Sequence, residues 1–495
     1  MTDNIRHFAA EFLETTEQDW RDLTEKFIKG ADFDDTLVNR SEDGIELGPL
    51  FTKDSGTQTN FIRRNHPPLG NSWQIGTHIN NPDIKRANEE ILKDLTGGAD
   101  TIVLDPGHES PFGIDLRSRT DVERVLAGVH TDLISTAIIP SDRNFETAAL
   151  LAAYFKGAKN LDKVNMSLGY APVGDENEQV LSLAKWVSSA APHWKALSVN
   201  ARFAHEAGGS PAQELAFMLA LGNHYIRLLM DGGFDIETSL SLMDVYLAAD
   251  QDTHQNITKL RAARLLWAKM AESYGATEPG RACTLNVISS ERMMAKQDPW
   301  SNLLRLNSAC FGAVCGGADS ITILPFTYAL GLPTNFARRI SRNIQNLMME
   351  ESHLGYVDDP AHGSFMHEAL THELAKRAWE IFQDIEAHGG WKSAEAKHWF
   401  VTELNQVRDE RADKIASGQK QLIGVNQFVK PDVRKAEVQR PPKLKERKGD
   451  IIETRDFSEA VEQAENGQLA PKFGTPTRIE KVNLADCAET KGGAS

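Results

Sequence analysis

Gly316-Gly317-Ala318-Asp319 runs directly into Ser320-Ile321-Thr322-Ile323-Leu324-Pro325, and the same design occurs earlier, where Gly97-Gly98-Ala99-Asp100 leads into Thr101-Ile102-Val103-Leu104-Asp105-Pro106. In each copy a helical pattern ends at glycine, a short β-branched run follows, and a proline-containing turn opens the next helix. Outward from these two, Leu133 to Pro140, Val164 to Pro172, Ala196 to Ala201, Leu240 to Ala248 and Thr284 to Ser289 repeat the pattern, with Trp73 to Ile79 ahead of them all. Eight strand-helix units predict an α/β chain closed as a (β/α)8 TIM barrel, because crossover helices keep neighbouring strands parallel and closure removes exposed edges. An open doubly wound sheet is the alternative, but no GxGxxG or P-loop favours it. The sixth and seventh runs are short enough that periodicity alone does not separate them from buried helix.

Hydrophobic residues make up 41% and charged residues 25% of the 495 positions, values of an ordinary globular chain able to bury a large core. No run of about 18 apolar residues offers a membrane span, and the start, Met1 to His7, lacks a basic region followed by an apolar one. A cytoplasmic protein without a membrane partner is expected. The net charge of −16 excludes a nucleic-acid partner, since phosphate neutralisation needs a basic surface. It also gives no general attraction for an anionic coenzyme, so any such site needs its own cationic patch. The four cysteines form neither a disulfide framework nor the paired spacing of a zinc site.

Three regions are expected. Residues 1–60 hold an amphipathic helix, read over 8 to 29 with Trp20, Leu23 and Phe27 on its stripe, and then an extended arm. Residues 61–425 hold the barrel and the long helices predicted over 334 to 353 and 366 to 388. Residues 426–495 form a charged, proline-containing tail, solvated from Pro431 to Asp450 with a short surface helix over 451 to 466.

Within residues 298 to 364, the order Asp298-Pro299-Trp300, Gly316-Gly317-Ala318-Asp319, Ala329-Leu330-Gly331-Leu332-Pro333-Thr334, Glu350-Glu351-Ser352-His353 and Asp359-Pro360-Ala361-His362-Gly363-Ser364 resembles the adenosylcobalamin-dependent acyl-CoA mutases, the methylmalonyl-CoA mutase family. Arg261-Ala262-Ala263-Arg264-Leu265-Leu266-Trp267 extends the resemblance upstream. So do Gly30-Ala31-Asp32-Phe33 and Asp43 to Thr52, which look like the family's subunit-wrapping N-terminal arm. About residues 15 to 425 are covered. The resemblance implies a second, cobalamin-binding domain carrying an Asp-x-His-x-x-Gly cobalt-ligand loop. The sequence shows no such loop: Asp252-Thr253-His254 is a near miss, with Ile257 at the glycine position, and reads as a helix cap.

Barrel active sites lie at the carboxyl ends of the strands, and there the catalytic pattern fails. Where catalytic mutases carry Ser-Gly-Tyr-His-Met-Gln-Glu-Ala-Gly, this chain reads Asn200-Ala201-Arg202-Phe203-Ala204-His205-Glu206-Ala207-Gly208. Phe203 replaces the histidine that bonds the thioester carbonyl, Arg202 the tyrosine and His205 the glutamine. Phenylalanine cannot donate a hydrogen bond, and Phe203 is expected to fill the thioester's space. Trp73-Gln74-Ile75-Gly76-Thr77-His78 puts His78 at a family tyrosine position and Gly76 at an arginine. Ile288 to Met294 replaces Gln-Thr-Ser-Gly-Trp-Ser-Leu, and Ile323-Leu324-Pro325-Phe326 replaces His-Thr-Asn.

Retained scaffold motifs with lost polar groups resemble most the family's small, non-catalytic subunit. That implies no cofactor on this chain alone, adenosylcobalamin in a catalytic mutase partner, and a heterodimer. The alternative is an acyl-CoA-binding barrel that works with a separately encoded cobalamin-binding subunit. Candidate acyl-CoA contacts are Ser135, Ser167, Ser198, Asn200, Ser289 and Arg338, the last on a basic face with Arg339 and Arg342. Small barrel residues also simply fit a crowded interior. No metal site is expected: His367-Glu368-Ala369-Leu370-Thr371-His372 spaces its histidines five apart, about 140° around a helix, where HExxH needs four. Asp358, Asp359 and Glu368 read as a structural turn rather than an acid/base pair.

Overall fold

The computed structural model describes residues 15–56, 72–107, 112–158, 160–443, 447–471 and 481–489. Eight parallel strands close into one barrel: β1 (Gln74–Ile79), β2 (Thr101–Leu104), β3 (Ser135–Ile138), β4 (Asn165–Tyr170), β5 (Lys195–Asn200), β6 (Met243–Ala249), β7 (Leu285–Ser289) and β8 (Ser320–Thr322), the last pairing with both β7 and β1. Helices separate them: α1 (Glu17–Phe27) precedes the barrel, then come α2 (Ile84–Thr96), α3 (Arg119–Val125), α4 (Phe145–Phe155), α5 (Asn177–Ala190), α6 (Arg202–Glu206), α7 (Pro211–Asp231), α8 (Thr253–Ser273) and α9 (Ser301–Cys315). After β8 follow α10 (Asn335–Glu350), α11 (Phe365–Ala387), α12 (Ala394–Ala416) and α13 (Phe457–Glu465).

The repeated Gly-Gly-Ala-Asp has a physical role in this closure. Gly97 and Gly316 end α2 and α9, and Gly98 and Gly317 take φ of +99° and +81°, the left-handed turn that sends the chain from helix into strand. The aspartate then satisfies a neighbouring strand's first donors. Asp100 accepts from the Ile75 amide at 2.7 Å, and Asp319 from the Leu285 amide at 2.8 Å. Arg264 of α8 closes on Asp319 at 2.9 Å. At the β1–β8 seam a Cβ on Gly76 would lie 2.2 Å from Thr322 Oγ1 and 3.0 Å from the Ile321 carbonyl, so the seam closes only around glycine.

The sixth strand starts later than expected, at Met243, because Leu240 belongs to a short helix, Ile236–Ser241, capped by Asp235. The eighth ends early, at Thr322. The described N-terminal helix starts at Glu17 because Thr16 caps it, its side chain accepting from the Asp19 amide; residues 1–14 lie outside the described residues, as do 57–60 of the arm. The arm's hairpin, Asn39–Arg40 against Glu46–Leu47, lies on its own chain, with Glu42 ion-paired to Arg411 and Lys420. The C-terminal region is partly docked rather than wholly solvated. Phe457 is fully buried, its ring 5.4 Å from both Phe145 and Trp186, so α13 packs on α4 and α5. Val438–Gln439 pairs with Leu332–Pro333 amid otherwise exposed chain.

Candidate functional site

Along several strands the inward-facing series begins polar and ends apolar: Thr101 then Val103, Ser135 then Ala137 and Ile139, Asp244 then Tyr246, Asn286 then Ile288. The period of two makes these residues share one face. Their polar ends, with Gln74 and Ser167, surround a cavity of about 150 Å³ in the half of the barrel toward the strand starts. Ser198 Oγ donates to Asp244 Oδ1 at 2.7 Å, Asn286 Nδ2 donates to Asp244 Oδ2 at 2.9 Å, and Gln74 Nε2 donates to Ser135 Oγ at 2.6 Å. Burial pushes the Asp244 carboxyl up to about 6, although the surrounding donors favour its charged form.

The apolar ends close the axis toward the strand carboxyl ends. Val103, Ala137, Ile139, Tyr246, Ile288 and Leu324 form one buried cluster, with Tyr328 packed against it. This plug separates the polar cavity from the face where barrel enzymes do chemistry.

On that face the sequence-predicted polar residues are each engaged by other side chains. His78 Nε2 lies 2.9 Å from Asp105 Oδ2, both fully buried, and its ring sits 5.9 Å from that of Tyr328. Arg202 bonds Glu291 at 3.1 Å, and Glu291 is also held by Lys481. Residues 481–489 cross this face: the Val482 amide donates to the Glu206 carbonyl and the Leu484 amide to the Arg292 carbonyl, each at 2.9 Å. His205 is buried, with Nε2 2.8 Å from Ser290 Oγ and Nδ1 3.4 Å from Glu214, itself paired to Lys259 at 2.6 Å. Burial, reinforced by Arg292 and Lys259, holds the His205 imidazole neutral, well below its usual range. Phe203 differs from expectation. It is half-buried on the five-residue α6 and packs on the outer core, so the space inside the barrel is filled by Tyr246, Ile288 and Leu324 instead.

The remaining candidates divide by depth. Ser135 and Ser167 line the cavity, while Ser198 is fully buried and bonded to Asp244. Ser289 is fully buried, its Oγ accepting from the Leu324 amide at 2.9 Å, and Asn200 donates to the Pro140 carbonyl at 3.2 Å. Arg338 lies between α10 and β1, bonded to the His78 carbonyl, Thr77 Oγ1 and Asp94, while Arg342 also closes on Asp94. That leaves Arg339, stacked over Phe336, as the outward member of the basic face. Asp359 and Glu368 both bind Arg261, at 3.1 and 2.9 Å. Sequence reasoning passed over Asp244, Tyr246 and Tyr328; strand parity with Ser198, Asn286 and Ile288 was the available signal for the first two.

The residues present do not fit a cobalt-ligand loop. Asp252 caps α8 by accepting from the Gln255 amide, Ile257 is buried in that helix, and His254 faces His367. Among the described residues no helix is long and apolar enough to cross a membrane.

Comparison with known proteins agrees with this architecture. The family model described as methylmalonyl-CoA mutase matches residues 57–470. The chain is 36% identical over 469 residues to the methylmalonyl-CoA mutase small subunit of Streptomyces virginiae, covering 89% of this chain and 74% of that protein. It is 31% identical to the corresponding small subunit of Propionibacterium freudenreichii subsp. shermanii, covering 91% and 74%. A methylmalonyl-CoA mutase of Cereibacter sphaeroides is 27% identical, covering 83% and 64%. The chain belongs to the methylmalonyl-CoA mutase family.

Proposed function

We infer that this chain is a non-catalytic small subunit, a cytoplasmic barrel that stabilises a catalytic methylmalonyl-CoA mutase chain as a heterodimer, the partner holding adenosylcobalamin and interconverting methylmalonyl-CoA and succinyl-CoA. The observation that carries this reading is the apolar plug. A ligand threaded from the polar cavity meets Tyr246, Ile288 and Leu324 before it reaches the strand carboxyl ends. Gly76 supports it, since the arginine of the catalytic pattern has no room at that seam. Helix α1 supports the partner: Leu23 and Phe27 are 67% and 85% exposed, and the helix buries none of its residues. An amphipathic helix left uncovered gains its stability by packing on another surface.

Co-expression with a catalytic mutase chain followed by gel filtration tests the reading. A stable heterodimer is expected, with turnover that depends on the catalytic chain. Separate elution with unchanged activity of the catalytic chain would count decisively against it. The polar cavity favours a second reading, an acyl-CoA-binding barrel served by a separate cobalamin-binding protein. Calorimetric binding of methylmalonyl-CoA to the isolated chain would select it.

A further inference from the structure

Two histidines from motifs set aside on sequence grounds meet in the fold. His254 stands on the first turn of α8 and His367 on the first turn of α11, and His254 Nδ1 lies 3.1 Å from His367 Nε2, with ring centroids 5.2 Å apart. On its other side, His367 Nδ1 is 3.0 Å from Ser364 Oγ. With the Nδ1 proton donated to that hydroxyl, the Nε2 lone pair of His367 faces His254, the arrangement in which an outer hydrogen bond orients a metal-binding imidazole.

Two nitrogen donors 3.1 Å apart subtend about 98° at an ion placed about 2.05 Å from each, between the right angle of an octahedral site and the wider angle of a tetrahedral one. We propose that His254 and His367 form a two-histidine chelate for a divalent transition-metal ion of the zinc class, which ties the start of α8 to the start of α11. Loading shifts the His254 proton from Nδ1 to Nε2 and inserts the ion between the facing nitrogens, so no proton is released. Among the described residues no group of three His, Cys, Asp or Glu side chains converges, so water fills the other positions. A cavity of about 80 Å³ beside His254, lined by Asp43, Asp252 and Thr258, gives that water room. This site is independent of the barrel mouth and of the proposed pairing with a catalytic chain.

The test is titration of the metal-free full-length chain with Zn²⁺ by calorimetry and with Co²⁺ by visible absorption. One ion per chain, Co²⁺ bands typical of nitrogen ligation and a raised melting temperature are expected. His254 is exposed, so His254→Ala and His254→Gln should fold and lose roughly tenfold or more in affinity, while His372→Ala keeps the site. Wild-type affinity in His254→Ala, or no binding at millimolar Zn²⁺, would overturn the proposal and leave a hydrogen-bonded pair only.

Discussion

Asp244→Asn probes the polar cavity through its pH dependence. Asp244 is 2% exposed, and burial raises its carboxyl from 3.8 to about 6 despite the bonds from Ser198 and Asn286. As pH rises, the unfolded chain releases this proton first, near 3.8, while the native chain holds it until about 6. The contribution to stability is therefore full below the lower value and lost as pH climbs through the higher one. The gap between 3.8 and about 6 corresponds to about 3 kcal/mol overall, of which about 1.4 kcal/mol is lost between pH 5 and pH 8. Asparagine does not titrate. Its amide must be accommodated beside Asn286, a cost that does not change with pH. Urea unfolding of both proteins at pH 5 and pH 8 should show their stability difference moving toward the variant by about 1.4 kcal/mol at the higher pH. A difference constant to within about 0.5 kcal/mol would refute the reasoning, since it would mean that burial does not hold the native proton.

Lys259→Met leaves Glu214, fully buried, without the ammonium that stands 2.6 Å away, and thermal unfolding should show a loss of about 3–5 kcal/mol; a loss under about 1 kcal/mol would argue against an ion pair there. Gly76→Ala should cost about 1–3 kcal/mol, because its Cβ would meet Thr322 Oγ1 and the Ile321 carbonyl at the barrel seam, and unchanged urea unfolding would contradict that geometry. Phe203→His should cost about 1 kcal/mol, less than for a fully buried ring, and restore no turnover with methylmalonyl-CoA and adenosylcobalamin. Turnover in that variant would defeat the non-catalytic reading.

What the sequence by itself determined is local or repetitive. Helix ends at Gly97 and Gly316, β-branched runs and caps such as Asp252 act within a few residues, so the strand count and barrel closure were legible, as was the loss of Phe203's hydrogen-bonding capacity. The sixth strand's start was misread because Leu240 carries the same apolar signal in the short helix Ile236–Ser241 as in a strand. What only the tertiary structure decided is where separate strands converge. The plug draws Val103, Ala137, Tyr246, Ile288 and Leu324 from five parts of the chain, and Arg338 meets Asp94 across 244 positions. His254 and His367 carry no mutual signal across 113 positions, yet two helix starts bring them to 3.1 Å. Chain propensity acts over the few residues that share a turn, whereas side chains meet through barrel closure and helix packing, and those are set by the burial of the whole core.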